Sequence, residues 1–244
     1  MAVAVIVADD LTGAADACAT FVTHGLSGTV TFGGPAGRGG AAGADVIAVS
    51  TDSRSRSSAI AMERVREAVR FATAFHGSAL LFKKIDSTLR GHVGEEIRAA
   101  IDASRARIAV VAPAFPAMGR TVEYGMLRVA GPITGAGAIG PRHVAGRLES
   151  HGVHQCRRIP RPAAAMTAGN GTGSNWRDRM DEAIRDGARA LVCDCVDDAD
   201  LDGIVEAAWT LEGPVLWVGS AGLAYALARR LGTPAAADGA GLVG

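Results

Sequence analysis

An excess of charge of either sign is missing from this 244-residue sequence: 25 lysines and arginines face 25 aspartates and glutamates. A neutral chain with no basic block is a poor nucleic-acid binder, because phosphate neutralisation supplies most of that affinity. No apolar stretch approaches the roughly 20 residues of a membrane span, so no membrane partner is expected. The N-terminus enters an apolar strand with neither a positive region nor a cleavage site, so no signal peptide is expected and the cytoplasm is the default compartment. Cys18, Cys156, Cys193 and Cys195 form no C-x-x-C pair and no zinc spacing. Cys193 and Cys195 read as small apolar residues of one strand. The histidines, His24, His76, His92, His143, His151 and His154, also lack metal spacing, so no metal site is expected. A Walker A loop is absent, and so is the G-x-S-x-G elbow of α/β hydrolases. Residues 135–140 match G-x-G-x-x-G, but Pro141 follows at once and no strand–helix context surrounds them. They are not read as a dinucleotide site.

What is present is apolar sequence, 48% of the chain, arranged in alternating short β-type runs and helical stretches. Strands are predicted over 2–8, 28–32, 45–50, 79–84, 107–112, 190–194 and 214–218, and a weaker hairpin arm over 126–129. Helices are predicted over 12–24, 57–75, 93–103, 176–186, 198–211 and 221–231. Buried strands alternating with helices predict an α/β fold, a mostly parallel, doubly wound, Rossmann-like sheet with helices on both faces. Residues 1–231 are expected to form one domain. Residues 33–43, 131–141 and 160–175 read as loops, and the small-residue tail 232–244 reads as a linker.

In open α/β sheets, ligands bind beyond the carboxyl ends of the strands, and polar residues recur at those exits here. Asp9 and Asp10 leave the first strand; one can cap the following helix, but a cap explains only one of the two. At residues 50–56, hydroxyls, Asp52, Arg54 and Arg56 suit a polar anion, against the plainer reading of an N-cap and a solvated turn. Lys83 and Lys84 are the only lysines of the chain and sit side by side at the end of a strand. There a lysine can neutralise charge on a transferred phosphoryl group, while Asp86 could orient or deprotonate a hydroxyl and Arg90 could bind a carboxylate. The alternative is a Lys–Asp–Arg ion-pair cluster that stabilises the loop. Residues 113–121, stiffened by two prolines and a glycine, end at Arg120, either an anion contact or an exposed side chain of a rigid connector. At 219–224, small residues open a helix, which suits either an anion on the free N–H groups or close helix–strand packing.

The blocks 8–14 (ADDLTGA), 50–55 (STDSRS), 83–91 (KKIDSTLRG), 112–121 (APAFPAMGRT) and 219–224 (GSAGLA) resemble, in order, the signature blocks of the four-carbon acid sugar kinase family. The resemblance implies an ATP- and Mg-dependent kinase that phosphorylates erythronate, threonate or 3-oxo-tetronate type acids. It also implies an N-terminal domain for the sugar acid and a separate C-terminal domain for the nucleotide. On that basis Asp9, Asp10, Thr12, Asp52, Arg54, Ser87, Arg90, Gly91, Arg120 and Ser220 are expected to bind the acid, with Asp86 as base and Lys84 as the catalytic cation. The chain is expected to stop where the nucleotide domain begins, with 232–244 leading toward it, and to be inactive without it. The competing expectation is a non-catalytic sugar-acid binding or sensing module derived from such a kinase. An uncovered sheet edge or domain face also leaves room for a homodimer.

Overall fold

The computed structural model describes residues 2–32, 43–77, 79–130, 142–162 and 175–232. The loops expected at 33–43, 131–141 and 160–175, the 135–140 match and the tail therefore lie largely outside the described residues. In chain order the elements are β1 (Ala4–Ala8), α1 (Leu11–Val22), β2 (Gly28–Phe32), β3 (Val46–Ser50), α2 (Ser58–Phe75) and β4 (Leu80–Lys84). Then follow α3 (Val93–Ala103), β5 (Ile108–Ala112), a 3₁₀ turn (Pro116–Met118), β6 (Arg120–Glu123), β7 (Met126–Val129), β8 (Arg142–His143) and α4 (Val144–Glu149). The chain continues through β9 (Cys156–Ile159), α5 (Trp176–Arg185), β10 (Ala190–Cys193), α6 (Asp198–Trp209), β11 (Val215–Gly219) and α7 (Ala221–Leu231).

Eight strands form one parallel sheet in the order β2-β3-β1-β4-β11-β5-β10-β9. The predicted α/β class is the observed one. β1, β3 and β5 are buried at every position, because helices cover both faces and leave no room for polar alternation. Edge strand β2 alternates exposed and half-buried residues instead. Helices α1, α7, α6 and α5 pack side by side as one layer, and α2, α3 and α4 as the other. Asp10, Ser57 and Asp197 cap α1, α2 and α6 through their side chains, and a reciprocal Asn175–Asp178 box opens α5.

The arm expected at 126–129 is β7, which pairs antiparallel with β6 and β8 in a small second sheet. Strands β6, β8 and β9 and helix α4 were not foreseen. Each is six residues or fewer, too short to carry a readable period.

Two features of the topology position the site. From β1 the chain crosses to edge strand β2, steps back inward to β3, and then passes to β4 on the other side of β1, so β1 and β4 flank the switch point. A crevice for a ligand opens at such a switch point. The register also aligns the strand exits: Ala8 lies opposite both Ser50 and Lys84, and Gly219 lies opposite both Lys84 and Ala112. All five signature blocks thus leave the sheet from one row.

Candidate functional site

At the β1 exit the two carboxylates divide their work. Asp10 is the N-cap of α1 and accepts from the Gly13 amide at 2.7 Å. Asp9 is buried, and its two oxygens accept from Arg54 Nε at 2.6 Å and Nη2 at 3.0 Å. Arg54 Nη1 lies 2.5 Å from Asp10 Oδ2, so one guanidinium bridges both acids. Burial alone would lower the Arg54 pKa, but its contacts with Asp9 outweigh it and raise the pKa. The backbone supports the arrangement, since the Ser53 and Arg54 amides both donate to Asp9 O, at 2.9 and 3.3 Å.

At the β4 exit, Asp86 staples the following turn. Its Oδ2 accepts from the Thr88 amide (2.9 Å), Thr88 Oγ1 (2.5 Å), the Arg90 amide (3.2 Å) and Arg90 Nε (3.1 Å), and its Oδ1 from Arg90 Nη2 at 2.7 Å. Burial pushes this carboxyl up, yet the Arg90 side-chain bonds, with those of Thr88, hold it well below the usual carboxylate range. The turn holds Leu89, buried at φ 60°, and Gly91 at φ 82°. A Cβ on Gly91 would stand 3.3 Å from Asp9 Oδ2 and 3.5 Å from Arg54 Cγ, so this glycine lets the β4 loop close onto the β1–β3 cluster.

The two lysines separate because successive strand residues face opposite sides of a sheet. Lys84 turns toward α1: its Nζ lies 3.6 Å from where a Cβ on Gly13 would be, and it donates to Ile85 O at 3.0 Å. Burial lowers its pKa most, and the charge of Lys83 adds to this, against the pull of Asp9, Asp86 and Asp10. Lys83 turns toward α3, where its Nζ meets Glu96 Oε2 at 2.8 Å.

Asp9, Asp10, Arg54, Lys84, Asp86, Arg90 and Gly91 thus come together at the switch point. Thr12, exposed in the first turn of α1, and half-buried Ser87 lie on the same rim segments. The other predicted residues are engaged elsewhere. Asp52, in the left-handed region at φ 47°, pairs with Arg56 at 2.7 Å and Arg64 at 3.3 Å. Arg120, in β6, donates to Met118 O at 2.6 Å. Ser220 is fully buried and donates to Ala114 O at 2.9 Å, tying the β11 exit to the β5 exit. The small residues at 219–224 match the packing alternative: a Cβ on Gly222 would stand 2.5 Å from Ala114 O.

Sequence reasoning missed Glu96 altogether. Its one available signal was an acid among Val93, Ile97 and Ala100 on the apolar stripe of α3. It also missed Asp194, which accepts from the Tyr124 and Gly125 amides at 3.1 and 2.7 Å and anchors the β6–β7 turn over the carboxyl ends of the sheet.

A cavity of about 620 Å³ lies at the opposite, amino end of the strands, lined by residues such as His76, Leu80, Pro214, Trp209 and Trp217. Its wall is mainly apolar, with Arg105 and His76 as its ionisable side chains and no acid among its lining residues. Among the described residues no group of three or more His, Cys, Asp or Glu side chains could hold a metal ion, and no helix is long and apolar enough to cross a membrane.

The fold is a doubly wound domain in which acids and cations meet at the switch point, the place where such sheets open a ligand crevice. Residues 4–227 match the family described as the sugar-binding N-terminal domain, and the chain belongs to it, within the four-carbon acid sugar kinases. It is 36% identical over 231 residues to a D-threonate kinase of Cupriavidus necator, an overlap covering 91% of this chain and 53% of that protein. It is 31% identical over 254 residues to a 3-oxo-tetronate kinase of Methylobacterium radiotolerans, covering 96% and 55%. A crystal structure of a domain of unknown function from Bordetella bronchiseptica, a domain-swapped dimer with bound citrate, superposes with a TM-score of 0.73 at 33% identity, covering 93% of this chain and 55% of that one. The chain spans about half the length of the curated relatives it matches.

Proposed function

We propose that this chain is the sugar-acid-binding half of an ATP-dependent kinase that phosphorylates a four-carbon sugar acid of the threonate, erythronate or 3-oxo-tetronate type. The observation that carries the reading is the convergence of Asp9, Asp10, Arg54, Lys84, Asp86 and Arg90 at the β1/β4 switch point. The names of the kinase relatives support the substrate class. The citrate in the Bordetella structure, itself a hydroxylated carboxylic acid, supports an anion of this kind.

In this reading Arg54 and Arg90 supply the positive field that draws in the substrate carboxylate, each held in place by its own acid. Lys84, beneath the acids, offers a cation toward which charge on a transferred phosphoryl group can develop. Asp86 is poorly suited to accept a proton, because both of its oxygens are committed to the turn. Both oxygens of Asp10 are engaged as well, by the Gly13 amide and Arg54 Nη1, but its side chain is 29% exposed against 8% for Asp86 and 5% for Asp9, so the base role falls to Asp10 as the acid a substrate hydroxyl can reach. The acids at the rim are occupied by Arg54, Arg90 and Thr88. The reading assigns ATP and Mg to the part of the kinase relatives that this chain does not span, so that the chain by itself binds substrate without turning it over.

Thermal unfolding with D-threonate, D-erythronate and 3-oxo-tetronate tests the reading. An acid at a hundred times its Kd adds roughly 2.7 kcal/mol, a shift of about 5–10 °C for a chain of this size. Mg–ATP alone shifts nothing. If no four-carbon sugar acid stabilises the chain, the reading fails.

A further inference from the structure

We propose that Lys83, Glu96 and Ser53 form one positioning unit that reaches from the α3 face of the sheet to the rim and sets the direction of Arg54. Lys83 and Glu96 are 1% and 2% exposed, and their ion pair accounts for only one carboxylate oxygen of Glu96. The other, Oε1, accepts from Ser53 Oγ at 2.5 Å, and Ser53 Oγ lies 2.8 Å from Thr51 Oγ1, which in turn donates to Ala8 O at 2.9 Å. Ser53 and Thr51 are fully buried. A carboxylate can only accept, so the single Ser53 proton goes to Glu96 and the single Thr51 proton is left for Ala8 O and Ser53 Oγ.

The far end of this chain of bonds is the peptide before Arg54. Asp52, immediately before Ser53, sits at φ 47°, in the left-handed region that aspartate tolerates better than most residues. Ser53 is anchored from below by Glu96, and its own amide and that of Arg54 are drawn onto Asp9 O. The guanidinium then projects back across Asp9 and Asp10 instead of into solvent. The three residues touch no reacting group. They act through Arg54, and a buried pair that could be replaced by apolar side chains is kept because Glu96 has two clients.

The test uses the whole 244-residue chain and Ser53→Ala, which removes the link and leaves the Lys83–Glu96 pair intact. The first readout is solvent exchange of the Arg54 Nε–H in ¹⁵N-labelled protein, assigned by its loss in Arg54→Lys. The second is the Kd for D-threonate by calorimetry, an arm that rests on the proposed function. In Ser53→Ala the Arg54 Nε–H exchanges about tenfold faster or more and D-threonate binds about tenfold more weakly, while the ligand-free melting temperature falls by about 3–10 °C, the loss of one buried bond to a charged group, and the chain stays folded. Unchanged Arg54 exchange overturns the proposal, and so does faster exchange with wild-type D-threonate affinity. If the wild-type chain binds no four-carbon acid, the functional reading fails, and Arg54 exchange by itself still decides whether the unit positions that side chain.

Discussion

Arg54 grips Asp9 with two donors, Nε at 2.6 Å and Nη2 at 3.0 Å, and keeps Nη1 for Asp10. A planar guanidinium can hold two carboxylates in this way and an ammonium cannot. Arg54→Ala leaves the Asp9 carboxylate buried and unpaired. The expected cost, read from urea unfolding, lies toward the lower end of the roughly 3–5 kcal/mol of a broken buried pair, because Arg54 is itself partly exposed. Arg54→Lys retains charge but still loses sugar-acid stabilisation.

The adjacent lysines should respond in opposite ways. Lys83→Met strands Glu96 as a buried charge and costs about 3–5 kcal/mol in urea unfolding. Lys84→Met removes a cation that burial already disfavours, so stability stays within about 1 kcal/mol while sugar-acid binding is lost. Equal destabilisation by the two changes would contradict the split across the sheet.

Asp86 links stability to acid pH. Its folded pKa is depressed, so the unfolded chain binds its proton first as pH falls. The contribution is complete above the unfolded-state carboxylate value of about 3.9 and drains away as pH drops below it. Urea midpoints of the wild type should fall more steeply than those of Asp86→Asn as the pH drops from about 5 toward about 3. Parallel curves would show that Asp86 is not the stapled group.

Gly91→Ala places a side chain in the left-handed region and brings a Cβ within 3.3 Å of Asp9 Oδ2. The conformation alone costs about 1–2 kcal/mol. Because the push is directed at the Arg54–Asp9 pair, ligand-induced stabilisation should fall as well, which paired thermal scans with and without D-threonate would record.

Ser220→Ala separates packing from contact. The hydroxyl is fully buried on Ala114 O, so its loss should cost about 1 kcal/mol and leave the sugar-acid Kd unchanged. A weakened Kd would put Ser220 in the pocket.

Much of this architecture could be read from residues in a line. Runs such as Ala4–Ala8 and Ile108–Ala112 are apolar at every position, which only a sheet covered on both faces requires. Short pieces such as β8 and α4 could not, because two to six residues carry no period. At the site, Asp9, Arg54, Lys84 and Arg90 were legible as polar groups at strand exits. Asp52, Arg120 and Ser220 carried the same signal, yet Asp52 pairs with Arg56 and Arg64, Ser220 is spent on Ala114 O, and Arg120 holds Met118 O through Nη1 alone. A residue's type at a strand end does not say which way it turns.

The sequence by itself determined the parallel α/β fold, the family and the five blocks that carry polar side chains to the strand ends, because burial period and local motifs are written along the chain. Only the tertiary structure decided that those blocks leave from one row, that Lys83 and Lys84 serve opposite faces, and that Asp86 spends its oxygens on its own turn. Those outcomes depend on strand order, on the alternation of the pleat and on partners as distant as Glu96 from Ser53. Distance in space between residues far apart in sequence is set only when the sheet assembles.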